Sequence, residues 1–198
     1  MDRRLLSIIS VSVFLVLALL LRPALLRWRT GKWGFNGLSG PVGSAGWWGG
    51  VSFAGSLVLI PVALVCDAPS APLFLPGVLA MVGGLLLTLL AQSGMGASWR
   101  IGVDASEKTE LVTTGLYSLV RNPIFTGMGL FGLGLVFVWP NLASVMSLVL
   151  LVIGVELQVR FVEEPYLKRL HGEAWTAWAS RVGRFLPSPR PSPDGRGS

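Results

Sequence analysis

Glu156, Arg160, Glu163 and Glu164 close one long apolar run, and Arg121-Asn122-Pro123 opens another. Glu156, Arg160 and Glu163 recur at i, i+4 and i+7, which puts all three on one helical face. Glu164 lies four residues beyond Arg160 and reaches the same groove. An ionisable residue this close to a membrane helix is a functional candidate, because a charge there is costly without a role. A salt-bridged helix exit among lipid headgroups accounts for the same pattern. Arg121 sets a fixed charge at the mouth of a helix that Pro123 starts. It reads equally as a snorkelling, orientation-setting arginine. The chemistry open to this set is ionic recognition: an arginine fork can hold a carboxylate, and a carboxylate can hold an amine.

The elements that carry these residues are membrane helices. Hydrophobic residues make up 52% of the 198-residue chain and charged residues only 13%, against roughly 25% charge in soluble domains. No Asp, Glu, Lys or Arg occurs from Leu5 to Leu21, Trp33 to Cys66, Ala68 to Trp99, or Asn122 to Val155. A bilayer crossing needs about 20 apolar residues. The fold class expected is therefore an all-α integral membrane protein with about five spans and a short C-terminal interfacial helix. The spans read as Leu5 to Leu21, Trp48 to Cys66, Leu73 to Gln92, Ile124 to Trp139 and Leu142 to Gln158. Pro140-Asn141 makes the last two a tight helical hairpin. Pro165 should end or kink the fifth helix. An amphipathic helix follows, with Tyr166, Leu167, Leu170, Trp175 and Trp178 in the interface.

Other classes fall away. Cys66 is the sole cysteine and His171 the sole histidine, so a disulfide framework is excluded and a zinc cluster nearly so. His171 reads as a helix-end residue before Gly172. No P-loop signature occurs. The net charge of +6 sits beside apolar runs, which fits membrane orientation better than nucleic-acid binding. Basic residues after the first span, between the third and fourth, and after the fifth predict the N-terminus outside and the C-terminus in the cytoplasm. Arg3 and Arg4 oppose that assignment. The first run lacks a small-residue cleavage site and reads as a span rather than a signal peptide. Glycine recurs at every third position from Gly31 to Gly49 and predicts an extended cytoplasmic loop. Pro187 to Ser198 reads as a disordered tail. The domain reading is 1–92 for three spans and the loop, 93–186 for the core, and 187–198 for the tail. Thirteen arginines against three lysines hint at a GC-rich genome, hence a bacterial inner membrane.

The core has a recognisable order. Gly115-Leu116-Tyr117, then Arg121-Asn122-Pro123, then Gly127, a hairpin, Arg160 with Glu163 and Glu164, and finally Gly172 with Trp175 and Trp178 follow one another. This resembles the isoprenylcysteine carboxyl methyltransferase family and the related phospholipid N-methyltransferases. Their pattern is roughly G-x-Y-x-x-x-R-H-P-x-Y-x-G, a hairpin, R-x-x-x-E, then G-x-x-Y-x-x-Y. The likeness covers about Gly94 to Pro187.

The resemblance implies a methyltransferase whose S-adenosylmethionine lies at the cytosolic face, between the loop before the hairpin and the helix after it. It implies cofactor contacts by Tyr117, Asn122, Pro123, Ile124 and Phe125, with Leu111 and Val112 lining the loop. Glu164 matches the cofactor-binding glutamate, and Glu163 beside it can share that task. Arg160 matches an arginine facing the methyl acceptor, and Arg121 an essential site residue. Gly94 and Gly96 resemble a Gly-x-Gly of the phospholipid enzymes. Asn122 stands at the family histidine and cannot titrate near neutral pH. Phe125, Trp175 and Trp178 replace tyrosines. These departures leave the acceptor open: a lipophilic, prenylcysteine-type carboxylate, a phospholipid amine, or a small thiol. A non-catalytic scaffold and a small transporter are the rivals. Neither metal nor nucleic acid is expected; membrane lipids are.

Overall fold

The computed structural model describes residues 2–30, 40–96 and 110–188. Helix α1 (Arg3–Phe14) runs through a π-helical segment (Leu15–Leu21) into α2 (Arg22–Thr30). Then come α3 (Ala45–Val65), α4 (Phe74–Met95), α5 (Pro123–Val138) and α6 (Leu142–Gln158). A second π segment (Val159–Glu163) leads into α7 (Glu164–Ala179). The protein is an all-α membrane protein: four helices are long and apolar enough to cross a bilayer, and α5 is a shorter apolar one.

Small residues decide which faces meet. On α4 the buried face is Gly77, Met81, Gly84, Thr88 and Ala91, whereas Leu75, Leu79, Val82, Leu86 and Leu90 stand exposed. Lipid tails are as apolar as leucine, so burying leucine gains little in a bilayer, and close backbone packing wins instead. A Cβ on Gly84 would sit 2.5 Å from the Phe131 nitrogen, and one on Gly134 would sit 2.6 Å from the Gly77 oxygen. Thus α4 and α5 lie antiparallel with backbones in contact. Helices α3 and α6 pair the same way: a Cβ on Gly154 would meet the Gly49 oxygen at 2.8 Å. Ser147 Oγ donates to the Ser56 carbonyl at 2.8 Å along that seam.

Two expectations are corrected here. The glycine-rich stretch is not a loop to its end. Ser44 caps α3 through Trp47 N, and Gly46 and Gly49 are buried within the helix; residues 31–39 lie outside the described residues. Three-residue spacing lets glycines share a helical face, so the last ones serve as a packing stripe. Pro165 does not end the fifth helix either. The helical run continues from Leu142 to Ala179, and Pro165 falls in the first turn of α7, just past the π segment, where a missing N–H is tolerated. The bend comes instead at Gly172, with φ 54°. From Leu142 to His171, before the bend, the run rises about 45 Å at 1.5 Å per residue, more than the roughly 30 Å of a bilayer core.

The hairpin of α5 and α6 exists, but its arms pack more closely on α4 and α3 than on each other. Its turn is pinned to α3: Trp139 Nε1 and Asn141 Nδ2 both donate to the Ala63 carbonyl, at 2.9 and 2.8 Å. Asn141 and Ser144 form a capping box that starts α6. At the same end Arg3 and Arg4 lie over the Trp139 ring, and Arg4 pairs with Asp67. These contacts account for two arginines that oppose the charge bias of the loops. The π segment after α1 leaves the Ala18 carbonyl to accept from buried Gln92 at 3.0 Å, which ties that segment to α4. The proposed tail lies outside the described residues from 189 on.

Candidate functional site

The chain after α7 turns back and docks beside the start of α5. Val120 and Gly183 form a parallel bridge. Arg121 N donates to the Gly183 carbonyl at 2.8 Å, and Asn122 N and Nδ2 both donate to the Arg184 carbonyl at 3.1 Å. Thr126 Oγ1 donates to the Phe185 carbonyl at 2.9 Å. This short strap needs free backbone donors at a helix entry. Asn122, held out of helical geometry before Pro123 at the first helical position, supplies one and adds its side-chain Nδ2 to the same carbonyl.

The strap brings three charges together. Arg184 Nε and Nη2 donate to Glu164 Oε1 and Oε2 at 2.8 and 2.7 Å, a two-bonded fork. Arg121 Nη2 lies 3.0 Å from the same Glu164 Oε1. The side chains of Arg121 and Glu164 are each 13% exposed and that of Arg184 is 25% exposed. Arg121 also donates to the Ala179 carbonyl at 2.9 Å and lies over the Trp175 ring. Its buried Nε has no partner among the described residues. Burial lowers the Arg121 guanidinium from its ordinary value; Glu164 pulls the other way, and Arg184 adds to the lowering. Arg184 is raised, chiefly by its hydrogen bonds to Glu164, against a smaller effect of burial.

An aromatic wall stands beside this cluster. Tyr117, Trp175, Trp178 and Val182 pack together, with Met95, Leu111, Val112 and Leu167 against them. Tyr117 lies in a 3₁₀ turn (Gly115–Ser118) entered through Gly115 at φ 60°. Its hydroxyl donates to the Ala91 carbonyl at 3.2 Å, and its own carbonyl accepts from Trp178 Nε1 at 3.1 Å. Trp175 and Trp178 are both buried within the protein. Trp178 spends its only N–H on the loop before α5, so it joins α7 to that loop.

The structure gathers Leu111, Val112, Tyr117, Arg121, Asn122, Pro123 and Glu164 at one end of the bundle. Gly94 lies near the Tyr117 ring, where an added Cβ would be 3.9 Å away, and Gly96 ends α4 at φ 55°. Ile124 and Phe125 pack toward the core of the bundle rather than the aromatic wall. Arg160 lies in the π segment from Val159 to Glu163, is half exposed and pairs with Glu156, four residues before it. Glu163 is partly buried. His171 precedes the bend at Gly172, and its Nε2 is buried without a hydrogen bond among the described residues. Arg184 is the residue that sequence reading missed. In the sequence it was one more basic residue after the last span, and no spacing rule links it to Glu164, 20 residues earlier.

A family model described as phospholipid methyltransferase matches residues 73–174. The match takes in α4, α5, α6 and α7 through Ala174. Comparison with curated proteins gave no match.

Proposed function

The chain belongs to the phospholipid methyltransferase family, and from that premise we propose that this membrane methyltransferase takes its methyl group from S-adenosylmethionine and passes it to a lipophilic acceptor. The observation that carries the reading is Glu164, held between Arg121 and Arg184 beside Tyr117, Trp175 and Trp178.

The donor set suits such a cofactor. Its amino-acid end bears an ammonium and a carboxylate, and the site offers a carboxylate flanked by guanidinium groups. The buried, unpartnered Nε of Arg121 leaves a donor to be satisfied. Tyr117 and the two tryptophans offer apolar surface, and Leu111 and Val112 close the loop side. When bound, the cofactor supplies an activated methyl on a sulfonium. The chain's own work is to fix that group, to exclude water with the aromatic wall, and to align an acceptor, since alignment supplies much of the rate of a displacement. Arg160, half exposed at the exit of α6, suits an anionic group on the acceptor: a prenylcysteine-type carboxylate, or the phosphate of an ethanolamine lipid. Asn122 cannot serve as a base, so a carboxylate or thiolate acceptor needs nothing further, and an amine must arrive deprotonated. The family match favours the phospholipid amine as the second reading.

In this reading the acceptor enters sideways from the bilayer. The site faces the cytoplasm, as the basic segments beside it suggest, and a bacterial inner membrane is the setting.

Calorimetric titration of purified protein in detergent with S-adenosylmethionine tests the proposal, beside an Arg160→Ala, Glu164→Ala double variant. Saturable binding lost in the variant is expected. No binding by folded wild-type protein refutes the methyl-donor reading. Methylation assays with a lipidated carboxylate, an ethanolamine phospholipid and a small thiol then separate the acceptors.

A further inference from the structure

Arg184 holds Glu164 side-on, through Nε and Nη2. That geometry occupies one edge of a planar group with five N–H donors. Arg184 Nη1 and the second hydrogen of Nη2 form the other edge. Neither has a hydrogen bond among the described residues, although the Glu156 carboxylate also acts on Arg184. Glu164 Oε1 accepts from Arg184 Nε and also pairs ionically with Arg121 Nη2, whereas Oε2 meets Arg184 alone. A carboxylate oxygen has two lone pairs, so Oε2 keeps one. The free edge and the free lone pair belong to bonded neighbours, Nη2 and Oε2, 2.7 Å apart. A cation-binding point and an anion-binding point therefore stand side by side.

An α-amino acid presents the complementary pair, an ammonium and a carboxylate on one carbon. Arg121 is the poorer carboxylate holder. One of its terminal nitrogens is spent on Ala179, the other faces Glu164, and its face lies over Trp175, so it can offer only its buried Nε, a single donor rather than a two-bonded edge. Arg184 is also the more exposed of the two. Its backbone is fixed independently of its side chain, through a carbonyl bound twice by Asn122.

Resting on the methyl-donor reading above, we propose that Arg184 binds the α-carboxylate of S-adenosylmethionine through its free edge while Glu164 Oε2 takes the α-ammonium. Arg121 is then a positioning residue, which holds Glu164 from behind. The strap from Val182 to Phe185 is part of the binding site, because it alone carries Arg184 to Glu164.

The test compares S-adenosylmethionine with its decarboxylated analogue, which keeps the sulfonium and the ammonium. Dissociation constants are measured by calorimetry on the full-length protein in detergent. Wild type should prefer S-adenosylmethionine by roughly 10- to 100-fold, the usual worth of a charge-assisted hydrogen-bonded pair. Arg184→Gln should bring that preference close to one, chiefly by weakening S-adenosylmethionine. Arg184→Lys should restore part of it. The analogue's affinity for each variant reports whether the site is still folded. An unchanged preference in Arg184→Gln overturns the proposal, as does a preference lost in Arg121→Gln but kept in Arg184→Gln. If wild type binds neither compound, the methyl-donor reading falls first and this assignment falls with it.

Discussion

Glu164 and Arg184 face each other through two hydrogen bonds of 2.8 and 2.7 Å, one from a helix that leaves the membrane and one from a strap that returns to it. The pair closes a loop of chain around Trp175 and Trp178. It makes the strap part of the site rather than a tail.

Glu164→Gln keeps the shape of the side chain and removes its charge. Two guanidinium groups then face each other with no anion between them. Loss of one partner from a buried ionic set costs about 3–5 kcal/mol, and the remaining exposure puts this case at the low end. We expect a measurable drop in thermal stability in detergent and loss of detectable S-adenosylmethionine binding. Binding within twofold of wild type would contradict the role given to Glu164.

Arg160→Ala should behave differently. The Arg160–Glu156 pair is half exposed, and such pairs contribute about 0–1 kcal/mol. Stability and methyl-donor affinity should stay near wild type. The value of kcat/KM for an anionic acceptor should fall by about 10-fold or more, as for a lost charge-assisted contact. Steady-state kinetics at saturating donor decides this. An unchanged kcat/KM removes Arg160 from the acceptor site.

Gly84→Val tests the bundle. Its new Cβ would fall 2.5 Å from a backbone nitrogen of α5, and overpacking of this kind costs about 1–3 kcal/mol or more. Gly129→Ala, on the same helix pair but with nothing within 4 Å of its Cβ, should change stability by less than about 0.5 kcal/mol. Unfolding followed by tryptophan fluorescence in detergent separates the two. Equal effects would mean that α4 and α5 do not touch as described.

Trp178→Phe removes the Nε1 donor and leaves the Tyr117 carbonyl unpaired. An unsatisfied buried acceptor costs about 1–3 kcal/mol. Because the lost bond joins α7 to the loop before α5, the cost should appear locally. Hydrogen exchange should quicken at Tyr117 to Asn122 and at Val182 to Phe185, and little in α3 or α4. Uniform exchange changes across the bundle would show that Trp178 is only general core.

The four long apolar helices and the shorter α5 were legible in the sequence because hydrocarbon excludes charge, and runs free of Asp, Glu, Lys and Arg are visible without any structure. Arg121, Tyr117 and Glu164 were legible for another reason: their order and spacing carry a family pattern, and residues 73–174 match that family. What the chain alone did not disclose was which faces meet. In a bilayer the exposed stripe of α4 is leucine and the buried stripe is glycine, so hydrophobic periodicity does not mark the interior. The π turn from Val159 to Glu163 was likewise not legible in the spacing, which predicts a regular helix there. Arg184 joined the site only in three dimensions. Its place depends on Asn122 offering two donors to one carbonyl of the returning strap, a pairing that distance along the chain does not encode.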